Sequence, residues 1–442
     1  MPFVDTIIAL SSGRLPAGLA VVRVSGPHTR FVVETIFGKL PGSRTATYGA
    51  LKRQDGTLLD KGLVLFFPAP NSFTGEDVAE FHAHGGRAVV SALLEELTMI
   101  PGVRHAEPGE FTRRAFLNGQ LDLTETEALA DLINAETEAQ RRFAVRNAAG
   151  AQSALYLDWR QRLIHARAMI EADIDFADEE DIPGSVADEV WTEMRSLMAG
   201  ITEHIAGFRA AEIIREGFDV VILGAPNSGK SSLFNALVKR DAAIVTSEAG
   251  TTRDLLEVSL DIKGALVRVT DTAGIRDGAG VVEAIGIERA RLRAGEADLV
   301  LVLEDMQAPI DFDLGQVTVP CLRIGTKSDL VGDGSTRRSG FYDIEISTVD
   351  GSGITALLDG IGMRAADAIG PAGDVLPSRM RHVELLRDTV RYLGEAVDAD
   401  GSPLELRSEA LRLAGHSLGR IAGSVDVEDL LDVIFSQFCV GK

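Results

Sequence analysis

The apolar run Phe218-Asp-Val-Val-Ile-Leu223 leads directly into Gly224-Ala-Pro-Asn-Ser-Gly-Lys-Ser231, and Ser232-Leu-Phe-Asn-Ala-Leu-Val238 follows with helical character. A strand, a glycine-rich turn and a helix in that order commit this part of the chain to a layered α/β fold with a mostly parallel sheet. The turn has the form GxxxxGK[ST]. Its glycines let backbone N–H groups approach a phosphate closely, and the helix behind it presents its positive end. Lys230 then reaches the β- and γ-phosphates of a nucleoside triphosphate, and Ser231 offers a hydroxyl to Mg²⁺. The alternative is a glycine-containing turn with no ligand, which the strand before it and the helix after it make the poorer reading.

The downstream segments specify the nucleotide. After the strand ending Val267-Arg-Val-Thr270 comes Asp271-Thr-Ala-Gly274, where a carboxylate at a strand tip can hold Mg²⁺ and a glycine N–H can meet the γ-phosphate. The buried-looking strand Asp298-Leu-Val-Leu-Val-Leu303 precedes another apolar stretch, which ends in Thr326-Lys-Ser-Asp329. An aspartate there can accept from N1–H and the exocyclic amine of guanine, an arrangement adenine does not offer. In order, these segments together with Gly250-Thr-Thr252 and Ser347-Thr348 resemble the five nucleotide-binding boxes of small Ras-like GTPases. The resemblance implies nucleotide contacts from Asn227, Ser228, Gly229, Lys230, Ser231 and Ser232. It extends them to Thr246, Ser247, Glu248, Ala249, Gly250, Thr251 and Thr252, and to Asp271, Thr272, Ala273 and Gly274. Thr326, Lys327, Asp329, Ser347, Thr348 and Val349 complete the set.

Ras-like enzymes place a water-orienting glutamine directly after DxxG, and here that residue is Ile275. Glu283, eight residues on in a glycine-rich stretch, is a candidate to position the attacking water; the alternative is a solvated loop carboxylate. Transition-state charge also needs a cation. Arg253 and Arg276 flank the site, and a monovalent cation held by Asn227 is a second source.

At 442 residues the chain has room for about three domains. Lys and Arg number 44 against 66 Asp and Glu, a formal charge of −22. Such a chain repels nucleic acid over most of its surface, so any RNA contact is local or delivered by a partner. Cys321 and Cys439 fit a reducing compartment and cannot by themselves make a four-ligand zinc site. No apolar run approaches the roughly eighteen residues of a membrane span, and the N-terminus lacks a basic leader. The expectation is a soluble, cytoplasmic protein.

Residues 1–118 read as short strands and helices, for example Leu19–Val24 and Lys61–Phe67 before turn signals. From about Leu121, Ala128, Leu132, Ala135, Ala139 and Phe143 recur at steps of three and four, which predicts one long amphipathic helix. Helical patterning persists through Ile174, pauses at Asp178-Glu-Glu-Asp181 and Pro183-Gly184, and resumes from Val186 to Arg209. The acidic run reads as a solvated turn rather than a metal site. A further helical region runs from Arg379 to Phe438, interrupted near Asp398 to Pro403. The expected organisation is an α+β N-terminal domain (1–118), a helical domain in two parts (119–214 and 373–442), and an inserted P-loop GTPase domain (215–372).

Two outlying segments carry a closer resemblance. Asn71-Ser-Phe-Thr-Gly-Glu-Asp-Val78, Glu80-Phe-His-Ala-His-Gly-Gly86, Pro108-Gly-Glu-Phe-Thr112 and Arg114-Ala-Phe-Leu-Asn-Gly119 stand near one end, and Phe438-Cys-Val-Gly-Lys442 ends the chain. With the central GTPase motifs, they resemble the MnmE (TrmE) family of tRNA modification GTPases over essentially the whole chain. The resemblance implies a GTP hydrolase that acts with the FAD-containing protein MnmG on carbon 5 of the wobble uridine of tRNAs, adding an aminomethyl or carboxymethylaminomethyl group. It implies a one-carbon unit from a 5,10-methylene- or formyl-tetrahydrofolate, held by Arg23, Glu80, Gln120 and Lys442. Gln120 stands where the family often has lysine, so a charge is lost there. K⁺ ligands are implied at Asn227, Thr246, Glu248 and Thr251, Mg²⁺ ligands at Ser231 and Thr252, and the water-positioning role at Glu283. A homodimer formed through the N-terminal region, a heterotetramer with MnmG, and hydrolysis stimulated by K⁺ on GTPase-domain dimerisation complete the implied picture. Thr326 replaces the family's usual asparagine and keeps one of its bonds. Thr348 replaces the usual alanine at a position read through backbone N–H.

His82 and His84 alternate as on a strand, with no third ligand near enough in sequence to make a metal site the better reading. Cys439 is a candidate functional thiol, either a nucleophile toward uracil or a wall of the folate pocket. Arg141, Arg142 and Arg146 read as a solvated helix face rather than a tRNA contact. Two other functional classes share the nucleotide motifs: a ribosome-assembly GTPase of the Era or Der type, and a GTP-dependent switch with negligible hydrolysis.

Overall fold

The computed structural model describes the chain except residues 1–2, 176–185, 241–242, 245–255, 272–290, 311–314, 316–317, 332–339, 372, 374, 399–401, 424–430, 432–433, 436–437, 439 and 442. It divides into two compact units, one of residues 1–130, 148–183 and 401–442, the other of residues 131–147 and 184–400.

The first unit is built on a six-stranded sheet of β1 (Thr6–Leu10), β2 (Ala17–Ser25), β3 (Thr47–Lys52), β4 (Leu58–Phe67), β5 (Val78–Gly85) and β6 (Val103–His105). Their order is β3-β4-β5-β2-β1-β6, antiparallel except for β1 with β6. Alternation along β5 buries Ala79, Phe81 and Ala83 and leaves Glu80, His82 and His84 on the other face. The buried set packs with Val22, Val24 and Val64 against helices α1 (Thr29–Phe37) and α2 (Arg87–Thr98) through Val33 and Leu93. Gly62 lets β4 lie close to β5, because a Cβ there would stand 2.0 Å from the His82 carbonyl oxygen. Helix α3 (Glu110–Leu117) covers the opposite face through Phe111, packed with Ile7 and Ala9.

The predicted long helix from Leu121 is three helices: α4 (Leu123–Asn134), α5 (Glu138–Ala148) and α6 (Ala151–Asp175). Side-chain caps make the breaks. Asp122 Oδ1 accepts the Glu125 N–H at 2.9 Å while Glu125 Oε2 accepts the Asp122 N–H at 2.9 Å, a reciprocal capping box at the start of α4. Thr137 and Gln140 do the same for α5, and Gly150, at φ 82°, separates α5 from α6. Within the first unit α6 packs along α12 (Leu404–Ile421), with Leu163 against Gly415 and Ser408 donating to Glu171.

The second unit holds a seven-stranded sheet of β7 (Phe218–Gly224), β8 (Ala243–Ile244), β9 (Leu256–Ile262), β10 (Ala265–Asp271), β11 (Leu299–Asp305), β12 (Cys321–Thr326) and β13 (Ile344–Glu345). The order is β13-β12-β11-β7-β10-β9-β8, parallel from β13 to β10 and closed by an antiparallel pair. The central strands are near-continuous apolar runs because both faces are covered: Val220, Ile222 and Leu301 pack with α9 (Lys230–Val238) and α10 (Ile354–Ile369), and the alternate residues Val221, Leu223 and Val300 pack with Ala294 and Ala297. Helices α7 (Val186–Ala206), α8 (Phe208–Glu216) and α11 (Met380–Val397) also lie in this unit, and Gly207 interrupts what the sequence pattern ran through to Arg209. Asp131 accepts from Arg215 and Arg379 and so ties α8 to the start of α11.

Candidate functional site

The carboxyl ends of β7, β10 and β12 meet at one edge of the second unit's sheet, and each carries a motif. β7 is the strand where chain order reverses, with β10 on one side and β11 on the other, the position at which open α/β sheets bind ligands. Register sets Asp271 beside Ile222 and Thr326 beside Asp305.

The turn after β7 passes through positive φ at Gly224 (153°), Asn227 (61°) and Gly229 (93°). A Cβ at 224 would stand 2.4 Å from the Leu303 carbonyl oxygen, so the turn requires glycine there. Asn227 tolerates the left-handed region because its short amide can bond locally. This path starts α9 at Lys230 and turns its positive end to the loop. Lys230 Nζ donates to the carbonyls of Gly224 (2.8 Å) and Ala225 (2.9 Å), which lays its charge across the loop. Ser231 Oγ is 3.5 Å from Oδ2 of the fully buried Asp271. Two hard oxygen donors that close suit Mg²⁺. Ser232, next along α9, is exposed.

Thr326 is 3% exposed, and its hydroxyl donates to the carbonyl oxygens of Ser228 (2.7 Å) and Glu304 (3.1 Å). Lys327 follows at φ 59°, with Nζ 2.5 Å from Asp305. Burial raises the Asp305 carboxyl, but the Lys327 ammonium and the Gln307 and Ala308 backbone N–H groups together hold it below the ordinary range. Asp329 is exposed on the 3-10 turn Ser328–Leu330. Ser328 N–H donates to Ile346 O (3.1 Å), joining this turn to the loop after β13. There Ser347 Oγ accepts from the N–H groups of Val349 and Asp350, with Thr348 half-buried and Val349 exposed. The structure thus brings together Asn227 to Ser232, Asp271, Thr326, Lys327, Asp329 and Ser347 to Val349. Thr246 to Arg253, Thr272 to Arg276 and Glu283 lie outside the described residues.

A second polar site lies in the first unit. Arg23 on β2 stands opposite Glu80 on β5, and its Nε and Nη2 donate to Glu80 Oε1 at 3.2 and 3.0 Å. The Arg23 guanidinium lies 5.4 Å from the Phe73 ring and 5.8 Å from the Phe111 ring. A cleft of about 220 Å³ opens there, lined also by Arg44, Phe67 and Asn71. Gln120 is exposed, with its amide near Gly75 on the loop that supplies Phe73. The chain end is anchored in the same unit. Ser11 Oγ donates to Gly441 O (2.8 Å), Val440 pairs with Pro108, and Phe438 packs with Leu123 and Phe435. Cys439 and Lys442 lie outside the described residues.

His82 Nε2 is 3.2 Å from Glu80 Oε2, and His84 Nδ1 is 2.8 Å from Asp60, so the two imidazoles serve different carboxylates. Among the described residues no three ligating side chains cluster for a metal. Arg141 and Arg142 pair with Glu138 on an exposed face of α5. Sequence reading missed Arg44 and the fully buried Arg114, which bonds Asp5, Glu76 and Glu110. Arg114 stood in the Arg114–Gly119 segment that carries the family resemblance, and the signal for its pairing was Glu110 four residues before it on a short helix otherwise pinned by Phe111 and Ala115.

Two family profiles match the chain: GTP-binding protein TrmE N-terminus over residues 6–120, and MnmE helical domain over residues 123–439. The chain is 67% identical to the tRNA modification GTPase MnmE of Mesorhizobium japonicum, over 99% of each chain. It is 57% identical to the protein of that name from Brucella canis, over 99% of this chain and 98% of that one.

Proposed function

Because the chain belongs to the MnmE family of tRNA modification GTPases, we propose that it couples GTP hydrolysis at the Gly224–Ser231 loop to wobble-uridine modification together with an FAD-containing MnmG partner. GTP hydrolysis in tRNA modification is the activity of the family. The observation that carries the site is the convergence of Lys230, Ser231 and buried Asp271 with Thr326 at the strand tips of one mostly parallel sheet.

In this reading the loop and the α9 N-terminus bind the phosphates, and Lys230 leaves the Gly224 and Ala225 carbonyls for the β- and γ-phosphate oxygens. Mg²⁺ fits Ser231, with Asp271 within reach and Thr252 as the further ligand; when bound it neutralises charge on the phosphates. Asp329 selects guanine. Glu283 positions the attacking water in place of the absent glutamine. Asn227, Thr246, Glu248 and Thr251 would hold K⁺, which would supply the cationic charge when two GTPase domains meet. In the first unit, the Arg23–Glu80 pair, Gln120 and Lys442 hold the tetrahydrofolate that donates the carbon. The paired charges suit a ligand with both donor and acceptor edges, and Phe73 suits a flat ring. The protein acts as a homodimer, in a heterotetramer with MnmG, on tRNA brought by the complex. In this reading the site of action is the cytoplasm; the described residues include no helix long and apolar enough to cross a membrane.

The test is the GTP hydrolysis rate in K⁺ and Na⁺ buffers of equal ionic strength, for the natural chain and for Glu283→Ala. Strong stimulation by K⁺ that disappears in the variant, with GTP binding nearly intact, is expected. Equal slow rates in both salts would remove the cation-assisted mechanism, and an unchanged rate in the variant would remove Glu283 from it.

A further inference from the structure

Thr326 sits between the loop that reads the base and the loop that holds the phosphates. Its hydroxyl carries one proton, and that proton lies between two carbonyl oxygens, Ser228 O in the phosphate loop at 2.7 Å and Glu304 O at the end of β11 at 3.1 Å. A Cβ built on Gly229 would stand 3.4 Å from both Cβ and Oγ1 of Thr326, so the side chain is packed against the phosphate loop and held there. What remains on Oγ1 is lone pairs, which can accept but not donate. The neighbouring Lys327 Nζ is turned to Asp305 at 2.5 Å, which takes one of its three N–H bonds.

Guanine presents two chemically different edges. The N1–H and N2–H₂ edge donates, and a carboxylate such as Asp329 reads it. The edge bearing N7 only accepts at that atom, so it can be read only by a donor. We infer that Thr326 gives N7 of guanine no donor: it acts as a strap between the base loop and the phosphate loop, and base selection rests on the donating edge at Asp329. An asparagine at 326 has two N–H groups and a carbonyl, enough to keep the strap and still offer a donor to N7; threonine has one proton and uses it on the strap. The inference rests on the GTP reading of this site.

The experiment measures binding of GTP, 7-deaza-GTP and ATP, each with Mg²⁺, to the full chain and to Thr326→Asn and Thr326→Val. In 7-deaza-GTP a C–H replaces N7 and nothing else changes. The natural chain is expected to bind GTP and 7-deaza-GTP within about twofold of each other, whereas Thr326→Asn should favour GTP over the 7-deaza analogue by about tenfold, one hydrogen bond's worth. Thr326→Val, which loses the strap, should weaken both nucleotides in parallel. A natural chain that discriminates against 7-deaza-GTP by about tenfold overturns the inference without any variant having to fold. So does an unchanged ratio in a folded Thr326→Asn. Failure of the GTP reading is seen separately, as ATP binding as tightly as GTP.

Discussion

Arg114 is fully buried, and its guanidinium is matched by Asp5, Glu76 and Glu110 at 2.8 to 3.2 Å, with the Phe3 ring 4.2 Å away. Burial pushes the Glu110 carboxyl up, but bonds from Arg104, the Glu107 backbone and Arg114 hold it below its usual range, so the cluster stays charged. Removing Arg114 leaves Glu76 without its cation and Asp5 and Glu110 with Arg104 alone, in a site where Glu76 and Glu110 are largely buried. Arg114→Met should therefore cost about 3 kcal/mol or more in urea unfolding, even though methionine fills much of the volume. His204 makes the opposite case. Burial, then the neighbouring His382, push its imidazole down to about 4 from 6.5, against a weaker opposing bond to the Val375 backbone. The folded pKa lies below the unfolded one, so between those values the unfolded chain binds more protons and stability rises with pH. The contribution is whole above about pH 6.5 and is lost as pH falls toward 4. Between pH 7.5 and pH 5 this group should take away about 2 kcal/mol, and His204→Gln should flatten that part of the unfolding profile.

Among the helices, apolar spacing told where helix exists but not where one helix stops. Ala128, Leu132, Ala135, Ala139 and Phe143 keep a three-and-four rhythm across a real break, because α5 resumes in a compatible phase after Asn134. The break is written instead in Thr137 and Gln140: Gln140 Oε1 accepts the Glu136 and Thr137 N–H groups at 2.9 and 3.1 Å, which begins a new helix. Thr137→Ala should destabilise the chain by about 1 kcal/mol with no change in GTP affinity, read by urea unfolding and nucleotide titration. Had residues 121 to 148 been one helix, the same change at an interior position would cost nothing, since alanine is the better helix former.

The whole molecule has two separate compact units, one with the Arg23–Glu80 cleft and the other with the phosphate loop. A ligand stabilises the unit that binds it by RT ln(1 + [L]/Kd), about 2.7 kcal/mol at a hundredfold excess over Kd. Calorimetry should thus show GDP with Mg²⁺ and a tetrahydrofolate analogue raising different unfolding transitions; a single transition raised equally by both would argue against independent sites. The phosphate loop, Asp271, the Thr326 to Asp329 box and the likeness of both ends to one family could be read from the chain alone. Each depends on local geometry: a strand ending in a turn that needs glycine, or a carboxylate at a strand tip. The pairing of Arg23 with Glu80 across 57 residues depends on the register of β2 with β5, and the anchoring of Gly441 depends on the Ser11 hydroxyl 430 residues away. No local pattern encodes such distances. The commitment of Thr326 was equally hidden, because its type is visible in the sequence but the two carbonyls that take its proton arrive from β11 and from the loop after β7. Sequence determined which chemical groups this protein has and which short segments present them. Tertiary structure decided which groups face one another, since a side chain's free donors and acceptors are known only after the rest of the chain has packed around it.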